Sequence, residues 1–90
     1  MKLTGTIHKI FDRFTYSDKF TKQDFILEVE ENGFKEYPKF QLVNDNTSQL
    51  AQVVEGDQVE VNFNIKGREV LKDGETVYYT NLDAWRVNKL

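Results

Sequence analysis

Hydrophobic and polar residues alternate most regularly in the segment Glu55–Glu69. Its apolar positions are Val59, Val61, Phe63 and Ile65. Because successive side chains of a strand point to opposite faces, this spacing predicts a strand with one buried face and one solvent-exposed face. We expect the regular strand to bend or bulge at Gly67, since a residue without Cβ permits either distortion.

A second alternating segment begins at the N-terminus. The segment Lys2–Phe14 reads as a strand whose phase slips in the middle, which predicts a bulge or sharp bend near Lys9. Gly5, inside this strand, indicates a close approach by another part of the backbone. The segment Arg13–Lys22 has no sustained period, and we interpret it as a connection between strands.

Two more strands are predicted before residue 44. Residues 25–30 alternate between apolar and polar, and Asn32-Gly33 then supplies the positive φ angles of a type I′ hairpin turn. The segment Phe34–Val43 is predicted to return as the third strand. Pro38 has no N–H for a strand ladder, so we expect it at an edge or a bulge.

The segment Asn44–Val54 changes period and predicts a short α-helix. Asn46 is a suitable N-cap with Gln49 three residues later, and Gly56 is placed to end the helix in the left-handed conformation. Its apolar face consists of Leu50, Val53 and Val54. A turn at Lys72–Glu75 and a final strand at Val77–Val87 complete the chain.

The order of three strands, a short helix and two strands predicts an all-β fold. It is the order of the OB-fold, a five-stranded Greek-key barrel with one short α-helix between strands three and four. An SH3-like barrel is the alternative, although a capped helix between its third and fourth strands would be unusual. Ninety residues fit one domain spanning residues 1–90.

Several segments also resemble a known family. The helix end and following strand, Val54–Val61, resemble the same region of bacterial single-stranded-DNA-binding OB proteins. The whole chain is more closely similar to a family of short bacterial proteins of unknown function in the OB superfamily. The segments that carry this likeness are Met1–Ile7, Phe63–Glu69 and Leu82–Val87. The resemblance implies the OB-fold, and nucleic-acid binding by analogy; the chain lacks the long acidic tail of the replication proteins.

Composition excludes several classes of function. There is no cysteine and only one histidine, His8, so disulfides, thiolate metal sites and histidine zinc sites are not expected. No catalytic constellation, phosphate loop or cofactor motif is present, and we expect neither an enzyme nor a bound cofactor or metal. The N-terminus has no signal-peptide pattern and no apolar run reaches membrane-span length, which favours a cytoplasmic protein without membrane contact.

Three groups combine cations with aromatic rings, as single-stranded nucleic acids require. The first lies in the predicted connection and consists of Arg13, Phe14, Tyr16, Lys19, Phe20 and Lys22. The second lies on one face of the third strand and consists of Lys35, Tyr37 and Lys39. The third surrounds the last hairpin and consists of Lys66, Arg68 and Lys72. Each also has a structural interpretation: buried rings for the first, a solvated strand face for the second, and charges balanced by nearby carboxylates for the third. Trp85, followed by Arg86, is interpreted as a structural ring, with a stacking platform as the alternative.

The function predicted from these groups is binding of single-stranded DNA or RNA with little sequence preference. OB-folds bind oligonucleotides on one sheet face between two loops, and the basic-aromatic groups fall on those elements. The alternative is a protein-interaction or assembly module without a nucleic-acid role, favoured by the net charge of -3. We also expect a homo-oligomer, because a small barrel leaves apolar residues such as Ile26, Val70 and Leu71 near the surface.

Overall fold

A closed barrel of five strands forms the body of the molecule in a computed structural model that describes residues 1–90. A 3-10 helix, Asn44–Gln52, lies between β5 and β6. The strands are β1 (Lys2–Ile10), β2 (Phe14–Ser17), β3 (Phe20–Glu31), β4 (Phe34–Glu36), β5 (Lys39–Val43), β6 (Gln58–Lys72) and β7 (Glu75–Lys89). The ring runs β1-β3-β5-β7-β6 and returns to β1, with β5 and β7 parallel and the other pairs antiparallel. The predicted all-β OB-fold is therefore confirmed, with the helix between the third and fourth barrel strands.

Two short strands, β2 and β4, pair with β3 and raise the total to seven. The segment Arg13–Lys22, predicted as a connection, instead forms a hairpin in which Thr15 lies opposite Thr21. Its Phe, Tyr and Thr residues favour strand structure, which the missing alternation obscured. The predicted third strand is split into β4 and β5 at Pro38, whose carbonyl still accepts a hydrogen bond from the Leu27 N–H.

The predicted irregularities of the first strand and the hairpin turns are confirmed. The β1–β3 register shifts between Ile7 and Lys9, as expected for a bulge. Asn32 and Gly33 have φ angles of 53° and 83°, which are the positive values that a type I′ turn requires. Asp73-Gly74 repeats this arrangement at the last turn, with φ angles of 51° and 82°.

The barrel interior is filled mostly by residues that the alternation of the strands placed there, together with Leu50 and Val53 from the predicted helical face. The buried apolar side chains are Ile7, Phe25, Leu27, Phe40, Leu42, Leu50, Val53, Val59, Val61, Phe63, Ala84 and Val87. The rings of Phe25, Phe40 and Phe63 form the centre, with Phe40 stacked on Phe25 at 5.4 Å and edge-on to Phe63 at 5.1 Å. Close packing of these branched and aromatic side chains holds the two sides of the barrel together.

The β6–β7 hairpin extends well beyond the barrel, and we call its residues 65–82 the arm. Ile65 was predicted to be buried, but it lies on the arm and is 54% exposed, because the barrel ends before it. The prediction of a bend or bulge at Gly67 is also wrong, because Gly67 pairs with Thr80 in regular register. The register shift instead falls between Asn62 and Phe63, where β7 carries one extra residue.

The predicted α-helix is a 3-10 helix, and its capping differs from the expectation. Its N-cap position is Val43, which makes no side-chain capping hydrogen bond. The Gln49 side chain turns to β7 and, at 3.3 Å, to the Asn46 side chain, so the backbone caps of a capping box do not form. Gly56 has the expected positive φ, 98°, but occupies a turn four residues beyond the helix end. No helix in the chain combines the length and apolar character needed to cross a membrane.

Candidate nucleic-acid interface

Three aromatic rings form an exposed cluster on the β2–β3 hairpin. The Phe14 and Tyr16 ring centroids are 4.6 Å apart, and those of Tyr16 and Phe20 are 5.5 Å apart. The three residues are 60%, 59% and 40% exposed, respectively. Mutual contact restricts the rings while leaving much of their surface open to solvent. We call this group the ring cluster.

The ring cluster continues along the outer face of β3. Phe25 and Leu27 point into the core, so the alternate residues Phe20, Lys22 and Asp24 point outward. Lys22 lies opposite Phe14 on β2, and its Nζ is 3.6 Å from Asp24 Oδ1. That carboxylate oxygen is buried and accepts no hydrogen bond, so the Lys22 ammonium supplies its compensating charge.

A cleft of about 250 Å³ separates this face from the base of the arm. Its lining residues are Lys22, Asp24, Lys39, Phe40, Gln41, Thr80, Asn81 and Leu82. The Gln41 side chain donates a hydrogen bond to Asp83 Oδ1, where the parallel strands β5 and β7 meet. This bond fixes the arm against the sheet, and the cleft places two lysines between the ring cluster and the arm.

The outer side of the arm carries the third predicted group. Asn81 lies opposite Lys66, and Tyr79 lies opposite Arg68. Tyr79 and Asn81 precede Asp83 by four and two residues on β7, so all three point to the same side of the hairpin, together with their partners on β6. The Arg68 guanidinium is 5.9 Å from the Tyr79 ring centroid. Lys72 lies at the arm tip opposite Glu75. Lys22, Lys39 and Lys66, one residue from each sequence group, thus lie along one surface.

The second predicted group is divided by Glu28. Lys35 Nζ and the Tyr37 hydroxyl both lie 3.3 Å from Glu28 Oε1, and the Tyr37 ring contacts His8 at 4.9 Å. The hydrogen bond and the negative charge of Glu28 raise the pKa of Lys35 above its usual value. Lys35 and Tyr37 therefore form a paired polar cluster beside the cleft, whereas Lys39 lines the cleft itself.

The first predicted group is divided as well. Arg13 and Lys19 line a polar cleft with Asp18 and Asp45, together with Thr21, on the side of the hairpin that faces the 3-10 helix. Thr21 alternates with Phe20 and Lys22, so this side is opposite the one that carries the ring cluster. Two carboxylates balance the two cations there, so Lys22, which is paired with Asp24, is the one cation of the first group on the ring-cluster side.

Sequence reasoning missed Tyr79 and left the orientation of Trp85 open. The imperfect alternation of the last strand concealed Tyr79, whose place beside Arg68 depends on the β6–β7 register. Trp85 was interpreted as a structural ring, but it is 48% exposed while its neighbour Ala84 is buried. The extra residue in β7 is responsible, because a bulge changes which side chain faces the core.

The chain matches a known protein family and is similar to several solved structures. A family model described as "Domain of unknown function (DUF3127)" matches residues 2–88, and no curated protein matches the chain. The mitochondrial single-stranded DNA binding protein Rim1 of S. cerevisiae is similar in structure, with a TM-score of 0.77 and 19% identity over 100% of this chain and 92% of that one.

Two further solved structures are similar. The dimeric N-terminal domain of PriB from Thermoanaerobacter tencongensis has a TM-score of 0.70 and 13% identity, over 100% of this chain and 93% of that one. A small single-stranded DNA-binding protein from Streptomyces coelicolor has a TM-score of 0.64 and 12% identity, over 99% and 91% of the two chains. At these identities, the likeness shows a shared OB-fold.

Proposed function

The chain belongs to the DUF3127 family of domains of unknown function, and we propose that it is an OB-fold module that binds single-stranded DNA with little sequence preference. One observation carries this proposal. The ring cluster, the two lysines of the cleft and the outer side of the arm form one surface between two hairpins. OB-folds bind oligonucleotides on the corresponding face, between the loops that these hairpins occupy.

The chemistry of the surface matches what a single strand presents. Bases stack on exposed rings, and each stacked base contributes about 1–3 kcal/mol in OB-folds and related proteins. Phosphates need cations, which Lys22, Lys39, Lys66 and Arg68 provide along the surface. Because stacking tolerates any base, we expect the interface to bind single strands with little preference for their sequence. The similar structures from yeast and Streptomyces are described as single-stranded DNA binding proteins, which supports the same ligand here.

Fluorescence anisotropy with a labelled oligothymidylate tests the proposal. At low salt we expect binding in the micromolar range, and four phosphate contacts to a single strand would give a log–log salt slope of about −3. Tyr16→Ala should weaken binding about five- to 100-fold. Phe34→Ala is the matched control, because Phe34 is an exposed ring on β4 outside the surface. No binding at about 100 micromolar protein, or equal effects of the two variants, would overturn the proposal. Parallel titration with oligouridylate compares DNA with RNA.

We propose that two copies of the chain associate through the side of the arm opposite the nucleic-acid interface. This side continues the core-facing side of β6 and β7 beyond the barrel, and it exposes Ile65, Leu71 and Tyr78. Of the other residues named from the sequence, Ile26 and Val70 are half-buried. A second copy of the chain would cover this apolar side, and one similar structure is described as dimeric. Sedimentation equilibrium should show a mass above 10.6 kDa that Leu71→Lys lowers. A monomer at about 300 micromolar would contradict it.

The same apolar side also favours the second candidate function, a protein-interaction module. A pull-down after nuclease treatment would recover specific partners with the wild-type chain, and Leu71→Lys would lose them. This function replaces the first only if the chain also fails to bind oligonucleotides in the anisotropy experiment.

A further inference from the structure

We propose that Trp85 is a second base-stacking platform, separate from the ring cluster, and that Arg86 binds an adjacent phosphate. This inference rests on the proposed binding of single-stranded nucleic acid. It extends the interface across β7 toward the 3-10 helix. Four observations support it: how the backbone presents Trp85, what surrounds its ring, where it lies relative to Lys22, and the chemistry of its neighbours.

The backbone at Trp85 is a β-bulge held in place by a side chain. Phe63 pairs with Ala84 and Asn62 pairs with Arg86, so Trp85 is the unpaired extra residue of β7. Gln49 Nε2 donates a hydrogen bond to the Trp85 carbonyl oxygen at 3.0 Å. Gln49 Oε1 accepts one from the Val87 N–H at 2.8 Å. One amide thus bonds to two backbone groups of the bulge.

The bulge exposes the indole ring beside polar groups. Trp85 is 48% exposed, and it borders a shallow cleft of about 310 Å³. The residues that line this cleft are Gln49, Gln52, Trp85, Arg86, Val87 and Asn88. The Arg86 Nε donates a hydrogen bond to Asn88 Oδ1 at 3.0 Å, which restrains the guanidinium next to the ring. A flat ring, a fixed cation and side-chain amides suit a base, a phosphate and base edges, respectively.

Strand register places Trp85 in the same row as Lys22. Lys22 lies between Phe14 on β2 and Val43 on β5. Gln41 pairs with Asp83 across the parallel strands, and Val43 and Trp85 each lie two residues further on. Neighbouring strands are about 4.8 Å apart, so three strand spacings separate Phe14 from Trp85, a distance of about 14 Å. A DNA single strand that leaves the ring cluster and passes over Lys22 would therefore reach Trp85 directly.

Intrinsic fluorescence tests this arrangement, because Trp85 is the only tryptophan in the chain. Stacking of a base on the indole should quench its emission, and the quenching should saturate at the ratio at which anisotropy saturates. An oligothymidylate of about fifteen nucleotides should quench strongly, and one of about four, which covers fewer stacking sites and binds more weakly, should quench less at the same concentration. Trp85→Ala should weaken binding of the longer oligonucleotide about five- to 100-fold, and Trp85→Phe should restore most of it.

The outcomes separate this inference from the proposed function. Binding by anisotropy without quenching would overturn the role of Trp85 and leave the ring-cluster interface standing. No binding by either measurement would overturn both. Quenching in the Phe34→Ala control and reduced binding for Arg86→Gln would support the platform. Quenching by a protein partner in a chain that ignores oligonucleotides would assign Trp85 to protein recognition and contradict the proposal.

Discussion

Gly5 of β1 lies directly against the backbone carbonyl of Glu28 on β3. A Cβ atom added to Gly5 would lie 2.5 Å from that oxygen and 2.8 Å from a methyl carbon of Val29. This close approach occurs just before the β1 bulge, where β1 passes from pairing with β6 to pairing with β3. A residue without a side chain therefore allows the barrel to close at this point.

Replacement of Gly5 should destabilise the barrel. We expect Gly5→Ala to lower the free energy of unfolding by about 1–3 kcal/mol, because the backbone oxygen can move only with its strand. Gly67→Ala is the control: its Cβ would meet nothing within 4 Å and its φ is not positive. That variant should be neutral or slightly stabilising. Urea denaturation measures both, and an equal loss in the two variants would contradict the steric explanation.

The Gln49 side chain should contribute more to stability than its partly exposed position suggests. Gln49→Ala leaves the Val87 N–H and the Trp85 carbonyl without a protein partner. The expected cost is about 1–3 kcal/mol in the free energy of unfolding, measured by urea denaturation. Ser48→Ala is the matched control, because the Ser48 hydroxyl makes one exposed hydrogen bond within the helix and should change stability by about 0.5 kcal/mol or less. If Gln49→Ala lowers the free energy of unfolding no more than Ser48→Ala does, water replaces the hydrogen bonds of the Gln49 amide and the prediction is wrong.

Asp57 should make stability depend on acid pH. A hydrogen bond from the Val54 N–H holds the pKa of Asp57 below its usual value, and the Lys89 ammonium acts in the same direction. Since the folded pKa lies below the unfolded one, this stabilisation is full above the unfolded carboxylate pKa of about 4 and disappears as pH falls through the folded value.

The Asp57→Asn variant checks this sign. Its stability deficit relative to the wild type should be largest near neutral pH and should shrink on acidification, as followed by urea midpoints over the acid range. Asp73→Asn, at the exposed arm turn, is the control for loss of one carboxylate charge. A deficit that stays constant with pH would mean that Asp57 acts by packing alone.

Glu28 should limit nucleic-acid affinity by occupying Lys35 and Tyr37. Glu28→Gln removes a negative charge from the outer face of β3 and releases the Lys35 ammonium. We expect the affinity for oligothymidylate to rise about two- to fivefold, the size typical of one exposed charge pair, with a steeper salt dependence. Anisotropy titrations at two salt concentrations measure this change. Glu31→Gln, at the end of β3, is the control, and an equal rise there would indicate a general charge effect.

The elements that sequence predicted correctly depend on local chemistry. Asn32-Gly33 adopts positive φ because these residue types tolerate it, whatever surrounds them. Phe25 and Leu27 are buried because the period of two leaves only one way to cover an apolar face. The capping box was mispredicted because Gln49 bonds to β7, and a bond to a residue 36 positions away has no local signature.

The candidate site was predicted in its composition but not in its assembly. Phe14, Tyr16 and Phe20 were identified from their spacing among cations, whereas their mutual contact required the β2–β3 hairpin. Arg13 and Lys19 appeared in the same group, but both line the polar cleft on the side of the hairpin that faces the helix. The spacing of the last strand left open whether Ala84 or Trp85 faces the core, and the extra residue in β7 decided it.

The sequence by itself determined the order of the five barrel strands, the buried faces of most of them and their tight turns, since periodicity and backbone preference act between near neighbours. Only the tertiary structure decided which exposed residues share a surface. Lys22, Lys39 and Lys66 are far apart along the chain and meet because β3, β5 and the arm pair in one register. Register depends on long-range hydrogen bonds and core packing, which a linear pattern does not record.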